Sequence, residues 1–177
     1  KGIFKYNKMK KYLVIGNPIE HSLSPKLHNY WIKENNIDAV YEKQQINENE
    51  IKFPLVELAM GRVGGINVTV PFKKKIIPFL DELTYFAKKT QSVNTIYKKK
   101  NKIVGDNTDV TGFNYALQHI KYSVKGKKIF ILGAGGVTPS IIFALKQMDA
   151  STIMLSNRTR EKAENLKKIY PYLDLIK

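Results

Sequence analysis

The sequence predicts an α/β protein: an N-terminal α/β domain with a mixed, mostly parallel sheet, followed by the start of a second, parallel α/β unit. Three observations predict it. Short apolar runs at residues 12–15 and 128–132 are each followed by a loop and a helix-start signal. Ile66-Asn67-Val68-Thr69-Val70 alternates apolar and polar side chains, the period of a strand with two different faces. From Lys128 onward the order is strand, glycine turn, helix, strand, helix, which is half of a doubly wound unit.

Taken in order, residues 12–15 form a buried strand ending at Gly16-Asn17-Pro18. Ser24 as N-cap and Pro25 at the first helical position start a helix with Leu27, Tyr30, Trp31 and Glu34 at helical spacing, stopped by Asn35-Asn36. Residues 40–46 read as a strand, Asn47 with Glu50 as a capping box, and residues 54–60 as a helix begun at Pro54. Gly61 and Gly64-Gly65 precede the strand at 66–70, which Pro71 ends. Helical material is expected at 72–77 and 81–89. Residues 92–98 and 102–106 flank a polar turn and predict a hairpin. Val110, Phe113, Leu117 and Ile120 predict a helix capped by Thr108 or Asp109. Beyond Gly126 come a strand at 128–132, a helix to Met148, a strand at 152–155 and a helix at 159–170. Two strands make a thin sheet, so this second domain reads as incomplete. The expected boundaries are 9–109, a linking helix at 110–123, and 124–177. Residues 1–8 read as an extension.

Composition narrows the function. With no cysteine there is no disulfide, thiolate metal site or cysteine nucleophile, and three scattered histidines predict no metal centre. No apolar run has the length of a membrane span, and the N-terminal segment lacks the apolar core of a signal peptide. A net charge of +15 suggests anionic ligands, but only Arg62, Arg158 and Arg160 are arginines, and the lysines are dispersed apart from 73–75 and 98–100. A nucleic-acid partner is not expected.

Gly133-x-Gly135 closes a strand and opens a helix, where glycine lets backbone N–H groups approach a pyrophosphate; an ordinary βα turn is the plain alternative. Thr138 stands where a third glycine would fall. The next strand ends in Ser156-Asn157-Arg158-Thr159 with no carboxylate to hold a ribose 2′-hydroxyl, and Arg158 can fork onto a 2′-phosphate, so NADP is expected over NAD. That makes the second unit an incomplete Rossmann-type NADP-binding domain. Upstream, Lys73 and Asp109 are two charges that could meet beside a polar cluster at Asp106-Asn107-Thr108-Asp109. Taken singly, each has a plain reading: Lys73 as one solvated lysine of three, and Asn67, Thr69 and Ser24 as backbone caps.

The strings Ser22-Leu23-Ser24-Pro25, Asn67-Val68-Thr69-Val70-Pro71-Phe72-Lys73, Val93-Asn94-Thr95 and Asp106-Asn107-Thr108-Asp109 with Gly112 occur in this order. With Gly133–Gly136 and Asn157-Arg158-Thr159 the sequence resembles the shikimate dehydrogenases over residues 11–170. The resemblance implies reversible NADP-dependent reduction of 3-dehydroshikimate to shikimate, with Lys73 as the catalytic lysine and Asp109 its carboxylate partner. It implies that Ser22, Ser24, Asn67, Thr69, Lys73, Asn94 and Asp109 hold the substrate. Gly133, Ala134, Gly135, Gly136, Val137, Asn157, Arg158 and Thr159 would hold NADP. It further implies a cytoplasmic monomer or homodimer with a small-molecule substrate and no membrane or nucleic-acid partner. Gln91-Ser92 replace the usual Gly-Ala before Val-Asn-Thr, and Val137-Thr138-Pro139 replace the usual small residues after the glycines. Family members are longer. The chain is therefore expected to be a truncated form, weakly active or inactive alone, that lacks further cofactor-domain strands, a returning C-terminal helix and a substrate-binding glutamine. The rival expectations are an NAD-using quinate/shikimate dehydrogenase, a non-catalytic binding module, and a charge-driven nucleic-acid binder.

Overall fold

The computed structural model describes residues 9–176; the expected extension at 1–8 lies outside the described residues. The chain divides into two compact units, one of residues up to Glu82 with Thr95–Gly105, the other of Leu83–Asn94 with Asp106 onward. The chain enters the second unit at 83–94, leaves it for one hairpin, and returns at Asp106. Hydrogen bonds explain the early entry. Thr84 Oγ1 donates to the Asp106 carboxylate at 2.5 Å, and Asn94 N–H donates to the Asp106 carbonyl at 3.0 Å.

The first unit is built on a mixed sheet. β1 (Lys10–Gly16) pairs in parallel with β2 (Ala39–Gln45) and with β3 (Gly65–Val68), and β3 pairs antiparallel with β5 (Thr95–Lys99). β6 (Lys102–Asp106) and the two-residue β4 (Glu82–Leu83) complete the order β2-β1-β3-β5-β6-β4. Leu13, Val14, Ile15, Ile66, Val68, Phe72, Ile76 and Ile96 are buried against it. β3 stops at Val68, two residues early, although Thr69 N–H still donates to the Ile15 carbonyl at 2.9 Å. The helix expected over 81–89 is split. Asp81 pairs with β6 by giving its N–H to the Ile103 carbonyl (2.9 Å) and accepting the Ile103 N–H on its carboxylate (2.6 Å). That pulls 82–83 into strand, and α4 (Tyr85–Thr90) begins after it.

α1 (Ser24–Glu34) follows β1. Its expected cap is corrected: Leu23 is already in helical geometry, so Ser24 is the first helical residue, and the Ser22 hydroxyl accepts the Ser24 N–H at 3.3 Å. Its apolar spacing does not make a buried face, since Leu27, Tyr30 and Trp31 are 47–58% exposed. Ile32 packs on Val14, Ile19 and Tyr41, and polar contacts add to it. The Asn29 amide exchanges two hydrogen bonds with the Tyr41 backbone (2.8 and 2.9 Å), and the His28 ring stacks on Tyr41 at 4.2 Å. Asn47 N–H does reach the Glu50 carboxylate at 2.6 Å, ahead of α2 (Lys52–Ala59). Pro54 falls in the first turn of α2, where no intrahelical donor is lost. α3 (Phe72–Lys75) is a single turn, shorter than expected.

The second unit has a parallel sheet in the order β7 (Lys128–Leu132), β8 (Thr152–Ser156), β9 (Leu173–Leu175). β9 is a strand the sequence reading missed; its Leu173 is fully buried and pairs with Ile153. α6 (Thr138–Gln147) and α7 (Arg160–Ile169) join the strands, and α5 (Asp109–His119) precedes them. Ile142, Leu145, Ile153, Leu155, Leu166 and Leu173 form the core, with Phe113 and Leu117 of α5 packed on it. Among the described residues, no helix is long and apolar enough to cross a membrane.

Candidate active site

In the first unit the predicted polar residues gather at the carboxyl ends of two adjacent parallel strands, β1 and β3, the edge where open α/β sheets bind ligands. Ser22 and Ser24 follow β1, Asn67 lies near the end of β3, and Thr69 and Lys73 follow it. The loops carrying them are stitched together. Asn17 N–H donates to the Val70 carbonyl (3.0 Å), and the Asn17 amide donates to the Ile46 carbonyl (3.2 Å). Thr69 packs so tightly on Gly16 that a Cβ there would stand 2.6 Å from its methyl.

Asn67 is held from both sides. The Tyr41 hydroxyl donates to its Oδ1 at 2.7 Å, and its Nδ2 donates to Thr95 Oγ1 at 3.1 Å. Tyr41 is 5% exposed, and burial pushes its hydroxyl up to about 12. Tyr41 was not singled out from sequence, and Thr95 entered only as part of the Val93-Asn94-Thr95 string; a tyrosine in an alternating strand carries no mark of its partner. Lys73 is half-buried, whereas Lys74 and Lys75 are exposed and Lys75 is paired with Glu48 at 2.5 Å. Burial thus sets Lys73 apart from the solvated lysines beside it.

In the second unit, Asn94 and Asp109 come together: Asn94 Nδ2 donates to Asp109 Oδ1 at 2.9 Å, and Asn94 Oδ1 accepts the Thr108 N–H at 3.0 Å. Asp109 opens α5, where the exposed N–H groups of a helix start favour a carboxylate. Thr108 stands at the N-cap position, as one of the two expected residues, but makes no side-chain cap bond. Buried Asn107 accepts the N–H groups of Asp109 (3.0 Å) and Val110 (3.3 Å) on its side chain.

The glycine turn joins β7 to α6. Gly133 has φ +115°, a conformation that favours glycine, and a Cβ at Gly133 or Gly135 would meet no atom within 4 Å, so both face open space. Thr138, in place of a third glycine, donates its hydroxyl to the Gly133 carbonyl at 3.0 Å and closes the turn. Asn157 has a role the sequence did not reveal: Oδ1 accepts the Ala134 N–H (2.9 Å), and Nδ2 donates to the Thr159 carbonyl (2.7 Å). The Ala134 amide is thus engaged by protein. At the ends of β8 and β9 a cleft of about 270 Å³ is lined by Ser156, Asn157, Arg160, Ala163, Leu175 and Ile176. Arg158 beside it is exposed, and no carboxylate lines it. Among the described residues, no group of three or more His, Cys, Asp or Glu is placed to hold a metal ion.

A parallel Rossmann-type unit, preceded by a mixed α/β unit with polar side chains at its strand ends, defines the class: a two-unit α/β protein of dinucleotide-binding architecture. Two family models then match in sequence order: the shikimate dehydrogenase substrate binding domain over residues 14–96 and shikimate / quinate 5-dehydrogenase over residues 115–174. The chain belongs to the shikimate dehydrogenase family. It is 56% identical over 168 residues to the shikimate dehydrogenase (NADP(+)) of Pelagibacter ubique strain HTCC1062, a match covering 95% of this chain and 63% of that relative. The crystal structure of the Aquifex aeolicus shikimate dehydrogenase superposes with a TM-score of 0.88 at 41% identity, over 96% of this chain and 63% of that one. The Thermus thermophilus enzyme, solved in complex with NADP(H) and shikimate, gives 0.85 at 29% identity over 96% and 63%. The chain thus spans somewhat under two thirds of the length of these relatives.

Proposed function

We propose that this chain serves the reversible NADP-dependent reduction of 3-dehydroshikimate to shikimate. The observation that carries the proposal is the gathering of Ser22, Ser24, Asn67, Thr69 and Lys73 at the carboxyl edge of β1 and β3 in a member of this family. Ser22, Ser24, Asn67, Thr69 and Asn94 supply hydroxyl and amide groups suited to a polyhydroxylated carboxylic acid. Lys73 supplies the cation. When a carbonyl carbon accepts hydride its oxygen gains negative charge; the Lys73 ammonium stabilises that oxygen and delivers its proton. Asp109, held by Asn94, supplies a carboxylate suited to accept from a substrate hydroxyl.

The second unit fits NADP by its donor set. Open space over Gly133 and Gly135, amides at the start of α6, Arg158 and Arg160 near the strand ends, and no acid in the cleft favour a 2′-phosphorylated dinucleotide. Bound there, NADP supplies the hydride chemistry. Gly133, Ala134, Gly135, Gly136 and Val137 form the phosphate turn, with Asn157, Arg158 and Thr159 at the 2′-phosphate end. We read 124–177 as the cofactor part and residues up to 109 as the substrate part, working as a monomer or homodimer in the cytoplasm without nucleic acid.

The test is shikimate-dependent reduction of NADP by the protein carried to the full length of its relatives, alongside Lys73→Ala. The substitution is expected to lower kcat by roughly 10²–10⁴, the range of a positioned proton donor. Activity that survives it would remove Lys73 from the mechanism. No turnover of shikimate by the unsubstituted protein would remove the proposal itself.

A further inference from the structure

The buried polar side chains of the described residues, Thr90, Ser92, Asn107, Thr138 and Ser140, all belong to the second unit. A buried polar group costs stability unless it is bonded, and these bond to one another and to the glycine turn. Asn107 Nδ2 faces three acceptors: Thr90 Oγ1 (3.1 Å), the Ser92 carbonyl (2.9 Å) and Ser140 Oγ (2.9 Å). Its Oδ1 takes the two N–H groups that start α5. Ser92, held by its carbonyl, turns its hydroxyl onto the Gly136 carbonyl at 3.3 Å.

That contact has a geometric consequence. The Gly136–Val137 peptide is trans, so its carbonyl and the Val137 N–H point in opposite directions. A carbonyl drawn toward buried Ser92 directs the Val137 N–H away from the interior. Val137 is 45% exposed, stands at the N-cap of α6, and its N–H has no acceptor among the described residues. The Ala134 N–H, by contrast, is already engaged by Asn157. The turn therefore offers an anion the Val137 N–H, at the positive end of a ten-residue helix.

We infer that Ser92 is a positioning residue for dinucleotide binding: its hydroxyl fixes the Gly136–Val137 peptide so that the Val137 N–H faces the pyrophosphate, and Asn107 fixes Ser92. The inference rests on the NADP reading above. It also gives the Gln91-Ser92 departure from the family's usual Gly-Ala a function in this chain. An alanine at 92 has no hydroxyl to hold that carbonyl, and the peptide is free to rotate. Through Asn107 the same network anchors the first turn of α5, so the peptide facing the dinucleotide and the backbone of Asp109 share one hydrogen-bonded frame.

The experiment is calorimetric titration of the chain and of Ser92→Ala with two probes, NADPH and 2′-AMP. 2′-AMP carries the 2′-phosphate but no pyrophosphate. Ser92→Ala is expected to weaken NADPH about five- to tenfold, the size of one lost neutral hydrogen bond, and to leave 2′-AMP unchanged. A merely structural loss would weaken both probes. Ser92→Cys, close in volume but a poor donor, should reproduce the alanine result if Ser92→Ala does not fold. Equal weakening of both probes, or no weakening of NADPH, overturns the inference and leaves the NADP reading standing. If neither probe binds the unsubstituted chain, the NADP reading falls and takes the inference with it.

Discussion

Tyr41 shows how one side chain serves stability and site geometry together. Its ring is sandwiched into the first unit against His28, and its hydroxyl donates to Asn67 Oδ1 at 2.7 Å. Burial raises the hydroxyl to about 12 from a usual value near 10. The folded chain therefore holds this proton where the unfolded chain has lost it. The resulting stabilisation is fully present below about pH 10 and is lost as pH rises toward about 12. Tyr41→Phe should flatten part of the alkaline fall in unfolding free energy, followed by urea titration between pH 9 and 12. Tyr170, also raised by burial, supplies a share that remains in the variant. The same substitution removes the hydrogen bond to Asn67 Oδ1 and leaves the Thr95 contact in place. If the proposed function holds, in the protein carried to the length of its relatives it should raise the KM for shikimate about fivefold with little change in kcat, the size of one neutral hydrogen bond. An unchanged KM would leave Tyr41 a packing residue alone. Burial also lowers the His28 pKa, so that ring stays stacked as the neutral form through the neutral range.

Elements here are placed by what happens at their ends. The β1 end is tight: an alanine methyl at Gly16 would lie 2.6 Å from the Thr69 methyl, 2.9 Å from Ile19 and 3.1 Å from the Val70 carbonyl. That carbonyl is tied to the Asn17 N–H and cannot retreat freely. Gly16→Ala should cost about 1–3 kcal/mol in denaturant unfolding, as overpacking does. Gly112 is the control. It lies within α5, its φ is not positive, and a Cβ there would meet nothing within 4 Å. Gly112→Ala should therefore stabilise by about 0.5–1 kcal/mol. A larger loss at 112 than at 16 would refute the crowding argument. Most strands and helices could be read in advance because periodicity and Gly or Pro punctuation are local signals. The exceptions share a cause. Asp81 pairs with β6 across 22 positions, which turns an expected helix into β4. Thr108 holds the N-cap position of α5, but the side-chain acceptor is Asn107, pinned by residues up to 33 positions away. The candidate residues were legible from motifs. Their holders, Tyr41, Ser92, Asn107 and Thr138, were not, since a buried hydroxyl or amide is identified only by the partners that folding brings to it.

At the scale of the whole molecule the charge has to be explained. Thirty cationic side chains face fifteen acidic ones, so even complete pairing would leave fifteen positive charges. Pairs such as Lys11–Glu42 and Arg62–Glu57, both at 2.5 Å, lie at the surface, and pairs of this kind contribute little to stability. Two of the three arginines, Arg62 and Arg160, are already turned onto glutamates of their own unit. A site that reads bases needs forked arginines and convergent side chains, whereas dispersed lysines make only a diffuse field. That field should bind polyanions by counterion release. The chain should retard duplex DNA of any sequence at about 50 mM salt, and lose that binding steeply by about 200 mM. Small phosphorylated ligands held by backbone amides and one or two cations should lose far less over the same range, because they displace few counterions. Comparing the salt slopes for duplex DNA and for NADPH separates the field from the site. DNA binding that persists at the higher salt, or that distinguishes sequences, would mean a built nucleic-acid surface on this chain. A slope for NADPH as steep as that for DNA would mean that the dinucleotide is held by the field and not by the glycine turn.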